Sequence, residues 1–126
     1  MNEHVAAAVE AAGKAYCPYS GFHVGAVVVA RDGRSWSGCN VENAAYGSSV
    51  CAEVTALTSA VAGGHTGPST LYVACPDAEK LASISPCGNC RQLARELGVE
   101  RVLLTIDGTD VVEYTMEELL PHGFEL

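Results

Sequence analysis

Two short segments carry the residues best suited to chemistry, Cys51-Ala52-Glu53 and Pro86-Cys87-Gly88-Asn89-Cys90. Each follows a loop-like stretch and begins a helical pattern. A Cys-x-x-Cys pair at the start of a helix can turn both sulfurs toward one point, and zinc prefers a tetrahedron of sulfur and nitrogen ligands at about 2.0 to 2.3 Å. With Cys51 as a third ligand, one position remains for water, which is typical of a catalytic zinc rather than a structural one.

Glu53 follows Cys51 by two residues, so it points in a different direction from the helix and lies beside the metal rather than on it. Zinc lowers the pKa of a bound water toward roughly neutral pH, and a carboxylate within hydrogen-bond reach can take its proton and pass it on. We therefore expect Glu53 to act as a general acid and base.

The thiolate shell needs positive charge nearby, because three thiolates outweigh the charge of Zn²⁺. Two helix N-termini aimed at the sulfurs provide partial positive charge, and Arg91, next to Cys90, is a candidate donor to the shell. The alternative is a closed structural site with Cys17, Cys39 or Cys75 as fourth ligand, which gives no role to Glu53. Otherwise these three cysteines are expected to be small buried hydrophobic residues.

The elements that must position these residues alternate between strand and helix. A helical spacing of apolar residues over 5–12 ends at Gly13, and an Asp-Gly turn joins an apolar stretch over 22–30 to a strand over 35–39, which predicts a hairpin. A loop over 40–50 leads to a helix over 51–62. The remaining predicted elements are a strand over 71–75, a helix over 87–97, a strand over 101–106, an edge strand over 111–114 and a last helical turn or two over 116–120. We therefore predict an α/β fold, a three-layer α/β/α sandwich whose mixed central sheet has about five strands.

The composition restricts the class of protein further. The 126 residues suit one domain over 1–126, and 48% hydrophobic with 17% charged residues excludes a disordered tail or a coiled coil. A net charge of −8 disfavours a nucleic-acid partner, whose phosphates the surface would repel. The N-terminal residues match neither a signal peptide nor a membrane span, so we expect a cytoplasmic protein with reduced cysteines and no membrane partner.

The chain resembles the small homotetrameric cytidine deaminases over about residues 16–121. The zinc motifs have the three-cysteine form used by zinc deaminases. Further similar stretches occur in the same order: PYSGFHVGA over 18–26, GCNVEN over 38–43, YG over 46–47 and SPCGNCRQ over 85–92. The resemblance implies zinc-dependent hydrolysis of cytidine and deoxycytidine at C4, in pyrimidine salvage, with one Zn²⁺ per chain, protons passing through Glu53, and loss of ammonia.

The resemblance also implies a set of substrate contacts in a homo-oligomer, expected to be a tetramer. Phe22 would lie against the pyrimidine face, while Asn40 and Glu42 would bind the ribose hydroxyls. Backbone groups of Ala52 and Ser85 would orient the pyrimidine. A loop that would reach into a neighbouring subunit's site contains Ala44, Tyr46 and Gly47.

Two features depart from the family pattern. Val54 stands where the family usually has Arg, which removes a cation expected to offset the thiolates. The segment 122–126 is short, and it offers Phe124 as a residue that could cover a neighbouring site.

Two other functions stay open at this point. Deaminases of aminonucleoside antibiotics such as blasticidin S share an aliphatic residue after Cys-Ala-Glu, although the Asn40–Asn43 stretch suits a ribose better. A non-catalytic zinc-stabilised module for partner binding is the alternative from another class.

Overall fold

The computed structural model describes residues 2–126, which contain five strands and four α-helices. The helices are α1 (Glu3–Ala12), α2 (Ala52–Ala62), α3 (Gly88–Glu96) and α4 (Met116–Leu119). The strands are β1 (Gly25–Ala30), β2 (Ser35–Cys39), β3 (Ser69–Ala74), β4 (Val99–Thr105) and β5 (Val111–Thr115). No α-helix within this described part of the chain is long and apolar enough to cross a membrane.

The five strands form one mixed sheet in the order β2-β1-β3-β4-β5. The predicted β1–β2 hairpin is present, and β1 also runs antiparallel to β3 on its other edge. The strands β3 and β4 are parallel, with α3 in the connection between them, and β5 is antiparallel to β4. The hydrogen-bonding pattern therefore confirms the predicted mixed sheet of five strands.

Helices cover both faces of this sheet. Helix α1 packs on one face against β1, β2 and β3, with Ala8 against Val27 and Ala74. The other three helices pack on the opposite face, where Val28 and Leu71 belong to the larger apolar core. Alternate residues of a strand thus pack against helices on opposite faces of the sheet, because successive side chains of a strand point to opposite faces. This arrangement confirms the predicted three layers.

Two glycines let the helices approach the sheet closely. A Cβ on Gly25 would lie 2.1 Å from the Ala8 carbonyl oxygen in α1, and a Cβ on Gly38 would lie 2.3 Å from the Ala56 nitrogen in α2. Heavy atoms cannot approach so closely, so only glycine allows these contacts. The contact at Gly38 sets how deeply α2 lies on the hairpin.

The element boundaries differ from the predicted ones at a few points. Strand β1 begins at Gly25 rather than at residue 22, whereas β3 and β4 each begin two residues earlier than expected. Two short 3₁₀ helices, Tyr46–Ser48 and Leu81–Ser83, lie in segments predicted to be loops. Single turns of this kind carry no apolar period that a sequence pattern could reveal.

Candidate active site

Two helix N-termini carry the metal-ligand candidates. Cys51 is the N-cap residue of α2, and Cys87 is the N-cap residue of α3. Neither side chain makes the capping hydrogen bond that Ser, Thr, Asp or Asn usually supplies there. Both thiols thus remain available for a ligand, at positions where the helix dipole favours negative charge.

The three candidate sulfurs form one cluster. The Sγ atoms of Cys51, Cys87 and Cys90 all lie within 4.8 Å of one another. For a tetrahedral zinc with bonds of about 2.3 Å, neighbouring sulfurs should be about 3.8 Å apart, so small side-chain rotations suffice. Cys90, in the first turn of α3, is fully buried. Within residues 2–126 no fourth Cys, His, Asp or Glu joins this group, in contrast to the closed site considered above.

The ionisation of the sulfurs fits a site made for a cation. A hydrogen bond from the Cys90 thiol lowers the pKa of Cys51 to about 6. The hydrogen bond to Cys51 and burial raise the pKa of Cys90 well above its usual range. One thiolate therefore forms readily, but a second resists formation beside it. A divalent cation removes this conflict, and its binding displaces the remaining protons.

Glu53 lies one residue inside α2, beside the sulfur cluster but outside it. Its side chain is buried, with 5% of the residue exposed, and it lines the same cavity as Cys51 and Cys87. Burial raises the pKa of Glu53 to about 7, and the charge of Cys51 acts in the same direction. A carboxyl group with such a pKa can both accept and donate a proton near neutral pH.

An open cavity of about 880 Å³ adjoins the cluster, which is within the usual range for small-molecule sites. It brings together most of the residues predicted from sequence. The predicted residues that line it are Phe22, Asn40, Glu42, Ala44, Tyr46, Cys51, Ala52, Glu53, Ser85 and Cys87. Two do not line it: Gly47 lies in the adjacent 3₁₀ helix, and Cys90 lies behind the cavity wall.

The side chains of Asn40 and Glu42 already have protein partners. Asn40 accepts from the Val24 N–H at 2.8 Å and donates to the Phe22 carbonyl at 2.8 Å. Glu42 accepts from the N–H groups of Tyr19 and Ser20 at 3.0 and 3.1 Å, and from the Ser20 hydroxyl. The hydroxyl is the main cause of a lowered pKa, which keeps Glu42 ionised. Both residues thus shape the cavity wall as well as facing the cavity.

Arg91 does not act as the sequence suggested. Its guanidinium donates to the Pro86 carbonyl at 2.6 Å, the Leu119 carbonyl at 2.7 Å and the Ser85 hydroxyl at 2.9 Å. All three acceptors are oxygens, not ligand sulfurs, because the side chain reaches back along the loop before Cys87. Arg91 therefore fixes that loop against α4.

Sequence reasoning missed several residues of the cavity wall. They are Tyr19, Ser20, Val24, Asn43, Ser49, Val50, Ser83 and Ile84. Tyr19, Ser20, Val24 and Asn43 stand inside the motifs quoted above, which was a usable signal. Ser83 and Ile84 carry no such signal in the sequence. They reach the cavity because the connection between β3 and α3, which contains the 3₁₀ helix at 81–83, folds against it.

Comparison with known proteins finds a family model and several relatives that match this chain. Residues 1–106 match the family described as the cytidine and deoxycytidylate deaminase zinc-binding region. The chain is 42% identical over 126 residues to a cytidine deaminase of Sporosarcina psychrophila, covering 98% of this chain and 90% of that protein. It is 40% identical over 119 residues to a cytidine deaminase of Mycobacterium tuberculosis, covering 94% and 85%.

A solved structure shows the same arrangement of elements. The crystal structure of a cytidine deaminase from Burkholderia pseudomallei matches with a TM-score of 0.88 and 44% identity, covering 97% of each chain. The similarity thus extends through the strands and helices that carry the sulfur cluster.

Proposed function

Because this chain belongs to the cytidine and deoxycytidylate deaminase family, we propose that it hydrolyses cytidine and deoxycytidine to uridine and deoxyuridine with release of ammonia. Family membership confirms the deaminase activity and the zinc cofactor expected from the sequence. One observation carries the proposal for this chain's own residues: three sulfurs converge at two helix N-termini, and buried Glu53 lies beside them in the wall of one cavity.

The residues fit a single zinc held by Cys51, Cys87 and Cys90. When bound, the metal supplies a water whose pKa is lowered toward about 7. Glu53 takes a proton from the attacking water and delivers it to N3 of the pyrimidine. It then passes the second water proton to the amino group on C4. The C4–O bond forms, the C4–N bond breaks, and ammonia leaves while Glu53 returns to its starting state.

The cavity wall offers matching groups for a nucleoside. We assign Phe22 to the pyrimidine face, and Asn40 and Glu42 to the ribose hydroxyls. Ala52 and Ser85 orient the base through their backbone groups. What supports these roles is the shared cavity and the order of the motifs along the chain.

The charge of the wall favours a nucleoside over a nucleotide. Glu42 and Glu53 line the cavity, whereas none of its described lining residues is Lys, Arg or His. At the ribose end, a 5′-phosphate would therefore approach the carboxylate of Glu42 with no Lys, Arg or His in the lining to offset the charge, and like charges in contact cost several kcal/mol. A free base would make no contact with the groups assigned to the ribose, so it would lose that part of the binding energy.

The test is ammonia release, with kcat/KM compared for cytidine, deoxycytidine, cytosine, cytidine 5′-monophosphate and blasticidin S. We expect both nucleosides to react and the monophosphate to be slower by about 10²-fold or more. Preference for blasticidin S would favour the antibiotic deaminases, and a chain that binds zinc without releasing ammonia would favour the non-catalytic module. A preferred monophosphate or cytosine would contradict the nucleoside assignment.

The proposal includes a homo-oligomer, expected to be a tetramer, in which the loop of Ala44, Tyr46 and Gly47 completes a neighbour's site. Tyr46 is 91% exposed at the edge of the cavity, which supports this role because a large aromatic side chain gains from being covered. We also assign the enzyme to the cytoplasm, and the six free cysteines support a reducing compartment.

A further inference from the structure

Residues 22–24 form part of the cavity wall without belonging to the sheet. Phe22 and Val24 line the cavity, and the segment continues β1 backwards beyond its first paired residue, Gly25. Gly25 is paired with Cys39 of β2 on one side and with Ala74 of β3 on the other. The extension therefore has two edges whose backbone groups need partners that the strands no longer supply.

On the β2 side the partner is Asn40, the residue directly after that strand. The side-chain amide of Asn40 accepts from the Val24 N–H and donates to the Phe22 carbonyl, at 2.8 Å each. The backbone N–H of Asn40 donates to the Val24 carbonyl at 3.2 Å. The side chain thus prolongs the hydrogen-bond ladder by two residues. Asn40 therefore supplies hydrogen-bond partners for the backbone of residues 22–24 on the β2 edge only.

On the β3 side the partner is Asp77, which stands three residues after the end of that strand. Its Oδ2 accepts from the His23 backbone N–H at 2.7 Å and from His23 Nδ1 at 2.8 Å. Donation from the His23 backbone is the main cause of a lowered pKa for Asp77, which keeps this acceptor ionised. His23 is the residue between the two that face the cavity.

We propose that Asp77 and His23 are positioning residues that hold the Phe22–Val24 wall in the shape that receives the nucleoside. An exposed contact between two polar side chains alone contributes little, because solvent competes for both groups and screens their charge. This pair differs because the same carboxylate oxygen also takes a backbone N–H, so it restrains the chain and not only a side chain. The inference rests on the proposed nucleoside deaminase function.

The inference predicts a specific kinetic change. In Asp77→Ala the wall loses its restraint on one edge, and the fraction of molecules with a binding-competent wall falls. Apparent affinity is reduced by that fraction, so we expect KM for cytidine to rise about fivefold or more. The wall contacts the ring in both ground and transition states, and kcat should therefore stay within about threefold.

Asp32 supplies a matched control. It also holds a backbone N–H and a side chain of one residue, accepting from Arg34 N at 3.1 Å and Arg34 Nε at 2.9 Å, but in the β1–β2 turn. Asp32→Ala should leave KM within about twofold, because this turn does not line the cavity. Asp77→Asn keeps an oxygen that can accept from the His23 N–H, and it should restore most of the affinity lost in Asp77→Ala.

Zinc content and the thermal melting temperature are measured on every variant, and His23→Ala serves if Asp77→Ala does not fold. A raised KM with full zinc content and near-normal kcat supports the positioning role. Equal KM values for Asp77→Ala and Asp32→Ala overturn it. A fall in kcat and zinc content as large as the rise in KM overturns it as well. A wild-type enzyme that releases no ammonia from cytidine contradicts the proposed function instead.

Discussion

Two ionisable side chains that are close along the chain have pKa values that their surroundings shift in opposite directions. Cys51 and Glu53 are two positions apart, yet a hydrogen bond lowers the pKa of Cys51 to about 6 while burial raises the pKa of Glu53 to about 7. The first change favours a metal ligand, which must be deprotonated, and the second favours a group that exchanges protons. The two proposed roles depend on the first turn of α2, which exposes Cys51 and buries Glu53.

The role of Glu53 can be tested by replacing its carboxyl group with an amide. Glu53→Gln keeps the shape and the hydrogen-bonding capacity but cannot carry a proton. We expect zinc content and melting temperature to match the wild type, whereas kcat falls by about 10² to 10⁴-fold. Steady-state kinetics and elemental analysis measure both. A variant that turns over cytidine within a few-fold of the wild type would remove Glu53 from the reaction.

The metal site can be tested by comparing cysteines inside and outside the cluster. Cys87→Ala should lose most of its zinc, because two sulfurs cannot complete the tetrahedron, and activity should fall with it. Cys39→Ala is the control, since Cys39 instead donates to the Lys14 carbonyl at 3.6 Å. We expect one zinc per chain in the control and in the wild type. Full zinc content in Cys87→Ala would show that another ligand set holds the metal.

The convergence of the three cysteines beside Glu53 could be predicted because it depends on short motifs with fixed local spacing. A Cys-Ala-Glu and a Pro-Cys-x-x-Cys at helix starts restrict both residue type and direction. Asp77 and His23 could not be predicted in this way, because 54 residues separate them and only the order of β1 and β3 in the sheet brings them together. The acceptors of Arg91 were missed for a similar reason, since Leu119 lies 28 residues away.

At the scale of elements, the position of α2 depends on its contact with β2. Thr55 in α2 donates to the Cys39 carbonyl at 2.8 Å, and Gly38 leaves the space that the helix backbone occupies. The sequence predicted both elements to within a residue, because the Asp-Gly turn before β2, the apolar period of α2 and the glycines after α2 are strong local signals. It could not predict how closely they pack, which depends on the one glycine that faces the helix.

This contact gives a prediction for stability. Gly38→Ala places a Cβ 2.3 Å from both the Ala56 nitrogen and Thr55 Oγ1, so α2 must move outward. Overpacking of this kind lowers the free energy of unfolding by about 1 to 3 kcal/mol. Because α2 carries Cys51 and Glu53, zinc affinity should fall as well.

Urea unfolding and zinc competition with a chelator measure the two effects. Ser37→Ala, at the exposed neighbouring position of β2, should change the free energy of unfolding by no more than about 0.5 kcal/mol. Unchanged stability in Gly38→Ala would mean that α2 does not rest on β2 in solution.

At the scale of the whole molecule, an acidic chain carries an exposed apolar area at the cavity. The net charge is −8. We call the apolar area the rim patch, which consists of Tyr16, Tyr19, Val41, Tyr46 and Val50. Backbone bridges join Tyr16 to Val41 and Val41 to Val50, so these members are contiguous, and Tyr19 and Tyr46 line the cavity itself. Contiguous exposed apolar residues of this kind mark interaction sites more often than free surface.

The rim patch and the charge together predict how the proposed oligomer behaves. Like-charged copies repel one another, so association must come from burial of apolar area, and added salt screens the repulsion. We therefore expect light scattering to give a multiple of the chain mass, with four chains as the expected number, and no dissociation as salt is raised from low to physiological concentration.

Tyr46→Asp places a charge in the covered area and should shift the mass toward that of one chain. Because the loop then no longer completes a neighbour's site, KM for cytidine should rise in the same variant. Val111→Asp is the control, since Val111 is a 41% exposed apolar residue on β5, at the opposite edge of the sheet from β2. A wild-type monomer with full activity, or a Tyr46→Asp variant that keeps both its mass and its KM, would show that each site is built from one chain.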